Sequence, residues 1–195
     1  MTNLFISYRR DDSGGHAGRL SDRLIARFGA SRIFIDVQDI QPGQNFQEAI
    51  EKTLARCDHL LAVIGPRWLE IMEARKANGE DFVRREVSAA LALGTTVIPV
   101  LVGGAKMPAR SQLPAEMAAF SLCQAVEIRD NSFDEDAGRL VEFLAGGSGA
   151  LRTKLYHTSA NRGHCLFIGD PVTMSGGELS HTTGTSVDST NFVGV

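Results

Sequence analysis

Short apolar runs alternate with amphipathic segments along the first three quarters of the chain. The runs at 4–6, 33–35, 59–64, 95–102 and 126–128 have the length and composition of buried strands. Apolar residues spaced three and four apart predict helices over about 13–28, 45–54, 81–93 and 133–144. This alternation predicts the α/β class: a flavodoxin-like, doubly wound sheet of five parallel strands and about five helices, with helices on both faces.

Local signals mark where these elements begin and end. Ser13 is expected to cap the first helix and Gly29 to end it. Asn45, with Glu48 three residues later, starts the second helix. Residues 66–80 contain Trp68 and then a polar stretch for which no element is predicted.

The composition changes after residue 145. The stretch 146–195 is rich in Gly, Ser and Thr, which is typical of a flexible linker. We therefore predict one domain over 1–145 and a linker or appendage over 146–195. The tail is compatible with the start of a second domain, an extension added by cloning, or a β-rich appendage that packs on the main domain.

Bulk composition limits the partners. The 195 residues include 43% hydrophobic side chains and carry a net charge of −3, so a basic surface for nucleic acid is not expected. No run approaches the roughly 18 apolar residues that span a bilayer, and no leader segment is recognised, so we expect a cytoplasmic protein with no membrane partner. Cys57, Cys123 and Cys165 are widely spaced, which indicates reduced thiols rather than a disulfide framework or a zinc site.

Two clusters contain candidate chemistry. Ser7, Tyr8, Arg9 and Arg10 follow the first strand, at the edge where open α/β sheets bind ligands, and two arginines there can bind a diphosphate. The plainer interpretation of the two arginines is that they pair with Asp11, Asp12 or Asp36. The second cluster is the segment 82–86 (Phe-Val-Arg-Arg-Glu), which supplies one acidic side chain, Glu86.

Glu86 lies on the helix predicted over 81–93. The stripe Val83, Val87 and Leu91 can pack on the sheet, which leaves Glu86 partly buried at the edge of a cleft. The alternative is an ordinary solvated or paired glutamate. Neither a GxGxxG motif nor a Walker loop is present, so dinucleotide folds of those kinds are not indicated.

Several separated segments resemble TIR (Toll/interleukin-1 receptor) domains. They are 5–10 (Phe-Ile-Ser-Tyr-Arg-Arg), 33–37 (Ile-Phe-Ile-Asp-Val), 41–46 (Gln-Pro-Gly-Gln-Asn-Phe) and 64–87, which ends in Phe-Val-Arg-Arg-Glu-Val. The resemblance covers about residues 2–145, in the order and spacing of bacterial, NAD⁺-cleaving members.

The resemblance implies NAD⁺ cleavage with Glu86 as the catalytic residue, and neither metal nor cofactor, since NAD⁺ is the substrate. Phe82 stands where many members have tryptophan, which keeps a stacking face but loses the indole donor. For Trp68 a packing role is the alternative to a place in the pocket wall. The resemblance implies a nucleotide site formed by Ser7, Tyr8, Arg9, Arg10, Asp36, Gln41, Pro42, Gly43, Trp68 and Phe82.

The resemblance also implies a role in immune or anti-phage signalling, a sensor domain or partner protein, and a homo-oligomer or filament formed by TIR–TIR contacts. A cleft with one acid and two arginines is expected to be too open to exclude water unless a neighbouring chain closes it. The alternative function is a non-enzymatic adaptor that works by self-association. A phospho-receiver domain is disfavoured, because Gly65 and Pro66 occupy the place of its phosphorylatable aspartate.

Overall fold

The computed structural model describes residues 2–35, 46–76 and 81–146. Four of the predicted site residues, Asp36, Gln41, Pro42 and Gly43, lie outside the described residues, as does the tail from residue 147 onward. The predicted division into 1–145 and 146–195 therefore stays a prediction.

The predicted sheet is confirmed. Its strands are all parallel and lie in the order β2-β1-β3-β4-β5. They are β1 (Leu4–Tyr8), β2 (Ile33–Ile35), β3 (His59–Ile64), β4 (Thr96–Val102) and β5 (Val126–Ile128).

Five α-helices surround the sheet within the described ranges. They are α1 (Arg10–Phe28), α2 (Phe46–Leu54), α3 (Trp68–Lys76), α4 (Phe82–Leu93) and α5 (Phe133–Leu144). Helix α3 was not predicted, because its buried residues Trp68, Ile71 and Met72 give only one turn of helical spacing within a charged segment. None of the described helices combines the length and apolar character needed to cross a membrane.

Each face of the sheet has its own hydrophobic core. Strand residues alternate between the faces, so Leu4 and Ile6 pack toward α1 and α5, whereas Phe5 packs toward α2, α3 and α4. The same alternation directs Ser7 toward α4. The side of the sheet that carries α4 is therefore where the candidate residues of β1 and α4 can meet.

The junction of β1 and α1 differs from the prediction. The strand continues through Ser7 and Tyr8, Arg9 is the N-cap, and α1 begins at Arg10. The prediction that Ser13 caps the helix is wrong: Ser13 lies inside α1 at a kink (φ −126°, ψ 15°), and its hydroxyl donates to the Val63 carbonyl at 3.3 Å.

The strand order places a topological switch point between the carboxyl ends of β1 and β3, where such sheets form ligand crevices. Asp12, in the first turn of α1, binds the turn that follows β3 at this point. Its carboxylate accepts hydrogen bonds from the backbone N–H groups of Gly65 (2.9 Å) and Arg67 (2.8 Å). A Cβ at position 65 would lie 2.5 Å from an Asp12 oxygen, so the close approach requires glycine. The turn after β3 is thus held against the start of α1.

Candidate functional site

Helix α4 is capped at both ends by its own sequence. Asp81 is the N-cap, and its side chain accepts a hydrogen bond from the Arg84 N–H at 3.2 Å. Gly94 ends the helix in the left-handed conformation, at φ 73°. The buried positions include Val83 and Val87, which pack in the core as predicted.

Glu86 also belongs to the buried side of α4. It is 4% exposed, and its Oε2 accepts a hydrogen bond from the Ser7 hydroxyl at 2.6 Å. Ser7 itself is 1% exposed. The structure therefore brings together two residues that the sequence separates, and it encloses Glu86 more fully than the expected position at the edge of an open cleft.

Arg9 lies in the interior beside this pair. Its guanidinium forms a bidentate contact with Asp81, from Nη1 to Oδ1 at 2.9 Å and from Nη2 to Oδ2 at 2.7 Å. Both residues are buried, at 1% and 5% exposure. The sequence suggested Asp11, Asp12 or Asp36 as plain partners, but the partner of Arg9 is Asp81.

Trp68 lies in the core, as its packing alternative predicted. It is 1% exposed, and its ring centroid is 5.9 Å from that of Phe120 and 5.0 Å from Cζ of Arg9. The indole thus contacts the rear of the Arg9–Asp81 pair rather than an open surface.

The other predicted contact residues have varied surroundings. Arg10 is exposed at the first position of α1, and Tyr8 is half-buried against the core on the α1 and α5 side. Phe82 is 39% exposed and lies one helical turn before Glu86, on the same side of α4. Phe82 is therefore a partly exposed ring one turn from the buried glutamate, and Tyr8 is on the opposite face of the sheet.

A cavity of about 480 Å³ lies on the other flank of α4, between this helix and α2. Asp81, Arg84 and Arg85 line it from the first turns of α4, and Gln47 and Ile50 line it from α2. It is separate from the Ser7–Glu86 contact, which faces β1. Asp81 lines this cavity and also pairs with Arg9.

Thiol and metal chemistry receive no support from the described residues. Burial raises the pKa of Cys57 to about 11, so this thiol is almost entirely protonated at neutral pH. Within 2–35, 46–76 and 81–146, no group of three or more His, Cys, Asp or Glu side chains is placed to hold a metal ion.

Asp81 is the residue that the sequence interpretation missed. An aspartate at the start of a predicted helix is a common N-cap signal, so its capping role could have been found. Its pairing with Arg9 could not, because the two are 72 positions apart in the sequence.

Comparisons with known proteins agree with the family expected from the sequence. The family model described as "TIR domain" matches residues 4–141. A protein named NAD(+) hydrolase sarm1, from Drosophila melanogaster, is 29% identical over 147 residues, which is 74% of this chain and 10% of that protein. The chain thus spans about a tenth of the length of this relative.

Two solved structures are similar in outline. One contains the TIR domains of the activated Roq1 resistosome recognising the effector XopQ, at 16% identity and a TM-score of 0.44, covering 77% of this chain and 87% of that one. The other is the CMP N-glycosidase BcmB of Clostridium botulinum, at 14% identity and a TM-score of 0.43, covering 72% of this chain and 98% of that one.

Proposed function

The chain belongs to the TIR domain family, and on this premise we propose that it is an NAD⁺ glycohydrolase, which cleaves the bond between nicotinamide and ribose. The observation that carries the proposal is the buried Glu86 carboxylate, hydrogen-bonded to Ser7 near the carboxyl end of β1. The name of the Drosophila relative, an NAD(+) hydrolase, supports the choice of substrate.

The chemistry needs a single carboxylate. The nicotinamide of NAD⁺ is a pyridinium, so it leaves as a neutral ring and takes no proton from the protein. An ordinary glycoside differs, since its oxygen leaving group needs a general acid and hence a second carboxyl group. One glutamate is therefore a sufficient catalytic set for this leaving group.

Glu86 would act on the ribose. Its carboxylate can accept a hydrogen bond from a ribose hydroxyl and stabilise the positive charge that develops at C1′ as the bond to nicotinamide breaks. Water then adds to C1′, which yields ADP-ribose and releases one proton. If a nucleophile of the adenosine half adds instead, the product is a cyclic ADP-ribose.

The surroundings of Glu86 favour this role. The Ser7 hydroxyl holds one carboxylate oxygen at 2.6 Å and so fixes the direction of the carboxylate. Low exposure reduces competition from water and strengthens the attraction between the carboxylate and a developing cation. Phe82, one turn away and 39% exposed, is suited to stack on a ring of the substrate.

The phosphates require a cationic contact outside the core. We assign it to Arg10, which is exposed beside the end of β1, whereas Arg9 is enclosed by Asp81 and Trp68. The further contacts expected from Asp36 and from Gln41 to Gly43 remain predictions.

The decisive experiment is product analysis with a charge-neutral variant. Purified wild type is incubated with NAD⁺ and the products are separated by chromatography, which distinguishes ADP-ribose from a cyclic product. We expect Glu86→Gln to abolish nicotinamide release while its melting temperature stays above the assay temperature. Glu142→Gln, an exposed change on α5, is the matched control and should retain activity.

Equal turnover by wild type and Glu86→Gln would exclude Glu86 as the catalytic residue. A wild type that releases no nicotinamide at any concentration, but self-associates, would support the adaptor function instead.

The proposed role in bacterial anti-phage signalling is tested in cells. Cellular NAD⁺ should fall after infection in bacteria that express the wild type and stay constant with Glu86→Gln. A protective effect that is equal for both proteins would argue for signalling without catalysis.

A further inference from the structure

Arg9 has an unusual environment for a residue next to a nucleotide site. It directly follows β1, on the side of the sheet that faces α4, and its side chain has no exposed surface. Both terminal nitrogens donate to Asp81, and the guanidinium carbon lies 5.0 Å from the centre of the Trp68 ring. An arginine enclosed in this way has no surface to offer to a phosphate.

The carboxylate that binds Arg9 also begins α4. Oδ1 of Asp81 accepts from Nη1 of Arg9 at 2.9 Å and from the backbone N–H of Arg84 at 3.2 Å. The same group therefore pairs with the end of β1 and caps the helix that carries Glu86. Movement of Arg9 would shift the first turn of α4.

Two contacts join the end of β1 to the start of α4. Ser7 of β1 contacts Glu86, and Arg9, one residue beyond the strand, contacts Asp81, the N-cap five residues before Glu86. The apolar stripe of α4 already packs in the core and sets the rotation of the helix. The two polar contacts, one of them bidentate, add directional links to the start of α4, and so hold the direction of the Glu86 carboxylate.

The Arg9–Asp81 pair also packs against an aromatic side chain. Trp68 is the first residue of α3 and packs on Phe120, so the guanidinium lies between an aromatic face and a carboxylate. A buried ion pair gives little net stability compared with apolar packing, but in some proteins such a pair specifies a single conformation. These features suit a positioning device.

We propose that Arg9 is a positioning residue, which through Asp81 and against Trp68 sets the orientation of Glu86 toward Ser7, and that it does not contact the nucleotide. This inference rests on the proposed function for its catalytic consequence, but its structural part can be tested without activity.

The kinetic test uses Arg9→Lys, which keeps the charge and loses the planar fork. We expect kcat for NAD⁺ cleavage to fall by about 10- to 100-fold, the range expected when a catalytic group is displaced by about 1 Å. KM should change by less than about 2-fold. A raised KM with wild-type kcat would overturn the proposal, because it would indicate a phosphate contact.

Arg129→Lys is the matched control. Arg129 forms a similar bidentate pair with the buried Asp136, from Nε to Oδ2 and from Nη2 to Oδ1, each at 2.9 Å, but at the start of α5. The Arg129→Lys change should lower the melting temperature without changing kcat. If it lowers kcat as much as Arg9→Lys does, the effect of Arg9 is general destabilisation and the proposal fails.

A thermodynamic cycle tests the geometry alone. Ser7→Ala removes the hydroxyl that donates to Glu86 and should lower the melting temperature of the wild type. If Arg9 sets the orientation of Glu86, the same change should have a smaller effect in the Arg9→Lys background, because the Ser7–Glu86 hydrogen bond is already weakened. If the decreases in melting temperature caused by Ser7→Ala and Arg9→Lys simply add in the double variant, the two residues are not coupled and the proposal is refuted.

The cycle also distinguishes failure of the proposed function from failure of the positioning role of Arg9. Should the wild type not cleave NAD⁺, the proposed function fails, and the melting temperatures still decide whether Arg9 and Ser7 are coupled through α4.

Discussion

At the scale of single residues, neighbours in the sequence have opposite roles. Arg9 and Arg10 are adjacent, yet Arg9 is enclosed with Asp81 while Arg10 is exposed. The cause is the alternation of side chains at the end of β1, which turns Ser7 and Arg9 toward α4, followed by the first turn of α1. Adjacent arginines should therefore differ in their kinetic effects.

We predict that Arg10→Ala raises KM for NAD⁺ by about 10-fold or more, as expected for the loss of one charge-assisted hydrogen bond worth about 1.5–3 kcal/mol. Because the contact is made to a part of the substrate that does not react, kcat should change little. Initial rates over a range of NAD⁺ concentrations give both constants.

Arg110→Ala is the control, since Arg110 is exposed on the segment between β4 and β5. An unchanged KM in Arg10→Ala would mean that the end of β1 does not bind the phosphates.

At the scale of elements, α4 and α5 each have an aspartate near their amino end that pairs with an arginine. Near the start of α5, Asp136 accepts hydrogen bonds from the backbone and side chain of Arg129 and from the Ser132 hydroxyl. These contacts, chiefly the hydrogen bond from the Arg129 side chain, hold the pKa of Asp136 well below its ordinary value of 3.8. The pair lies at the amino end of α5, where a negative charge also interacts favourably with the helix dipole.

The pH dependence follows from the sign of this shift. A carboxyl group with a depressed pKa stabilises the folded state above its unfolded pKa, and this contribution is lost as the pH falls toward the folded value. We predict that Asp136→Asn lowers the melting temperature at pH 7, and that the difference from wild type narrows as the pH falls below about 4.

Asp134→Asn provides the comparison on the same helix, because Asp134 is 75% exposed and contacts only the surface residue Arg23 among the ion pairs described. The melting temperature of Asp134→Asn should stay close to that of the wild type at every pH. If the difference in melting temperature between Asp136→Asn and wild type stays constant from pH 7 to pH 3, the Asp136 carboxylate does not stabilise the fold through its charge.

At the scale of the whole molecule, the sheet divides the protein into two cores, and the candidate site belongs to one of them. Ser7, Arg9, Asp81 and Glu86 all lie on the side of α2, α3 and α4. The sequence led us to expect an open cleft that a neighbouring chain closes, whereas Glu86 is already enclosed within one chain. A neighbouring chain would then act by stabilising the arrangement in which NAD⁺ reaches Glu86.

We therefore predict that activity per molecule rises with protein concentration or with a crowding agent. Pro42→Asp and Gly43→Arg, in the turn expected to border the pocket, should remove activity while the monomer stays folded. The measurements are specific activity from nanomolar to high micromolar protein and circular dichroism of the variants. Constant specific activity over that range, with both variants active, would show that one chain suffices.

Much of this arrangement follows from local sequence signals. The five apolar runs predicted the strands, because a short run of buried residues leaves few alternatives in an alternating α/β pattern. The predicted end of α1 at Gly29 and the span of α5 are confirmed. The stripe of Val83 and Val87 also placed Glu86 on α4 beside the core. These features depend on residues within one or two turns of each other.

What the sequence alone left undetermined depends on contacts between distant segments. Helix α3 is held by the burial of Trp68, Ile71 and Met72, whose i, i+3, i+4 spacing covers little more than one turn and was overlooked in the sequence. The Ser7–Glu86 hydrogen bond and the Arg9–Asp81 pair join positions 79 and 72 apart. Only the parallel order of the strands brings the end of β1 against the start of α4. The family resemblance thus identified the candidate acid, and local periodicity placed it on α4, while the tertiary structure decided its partner, its burial and the separate surroundings of the two arginines.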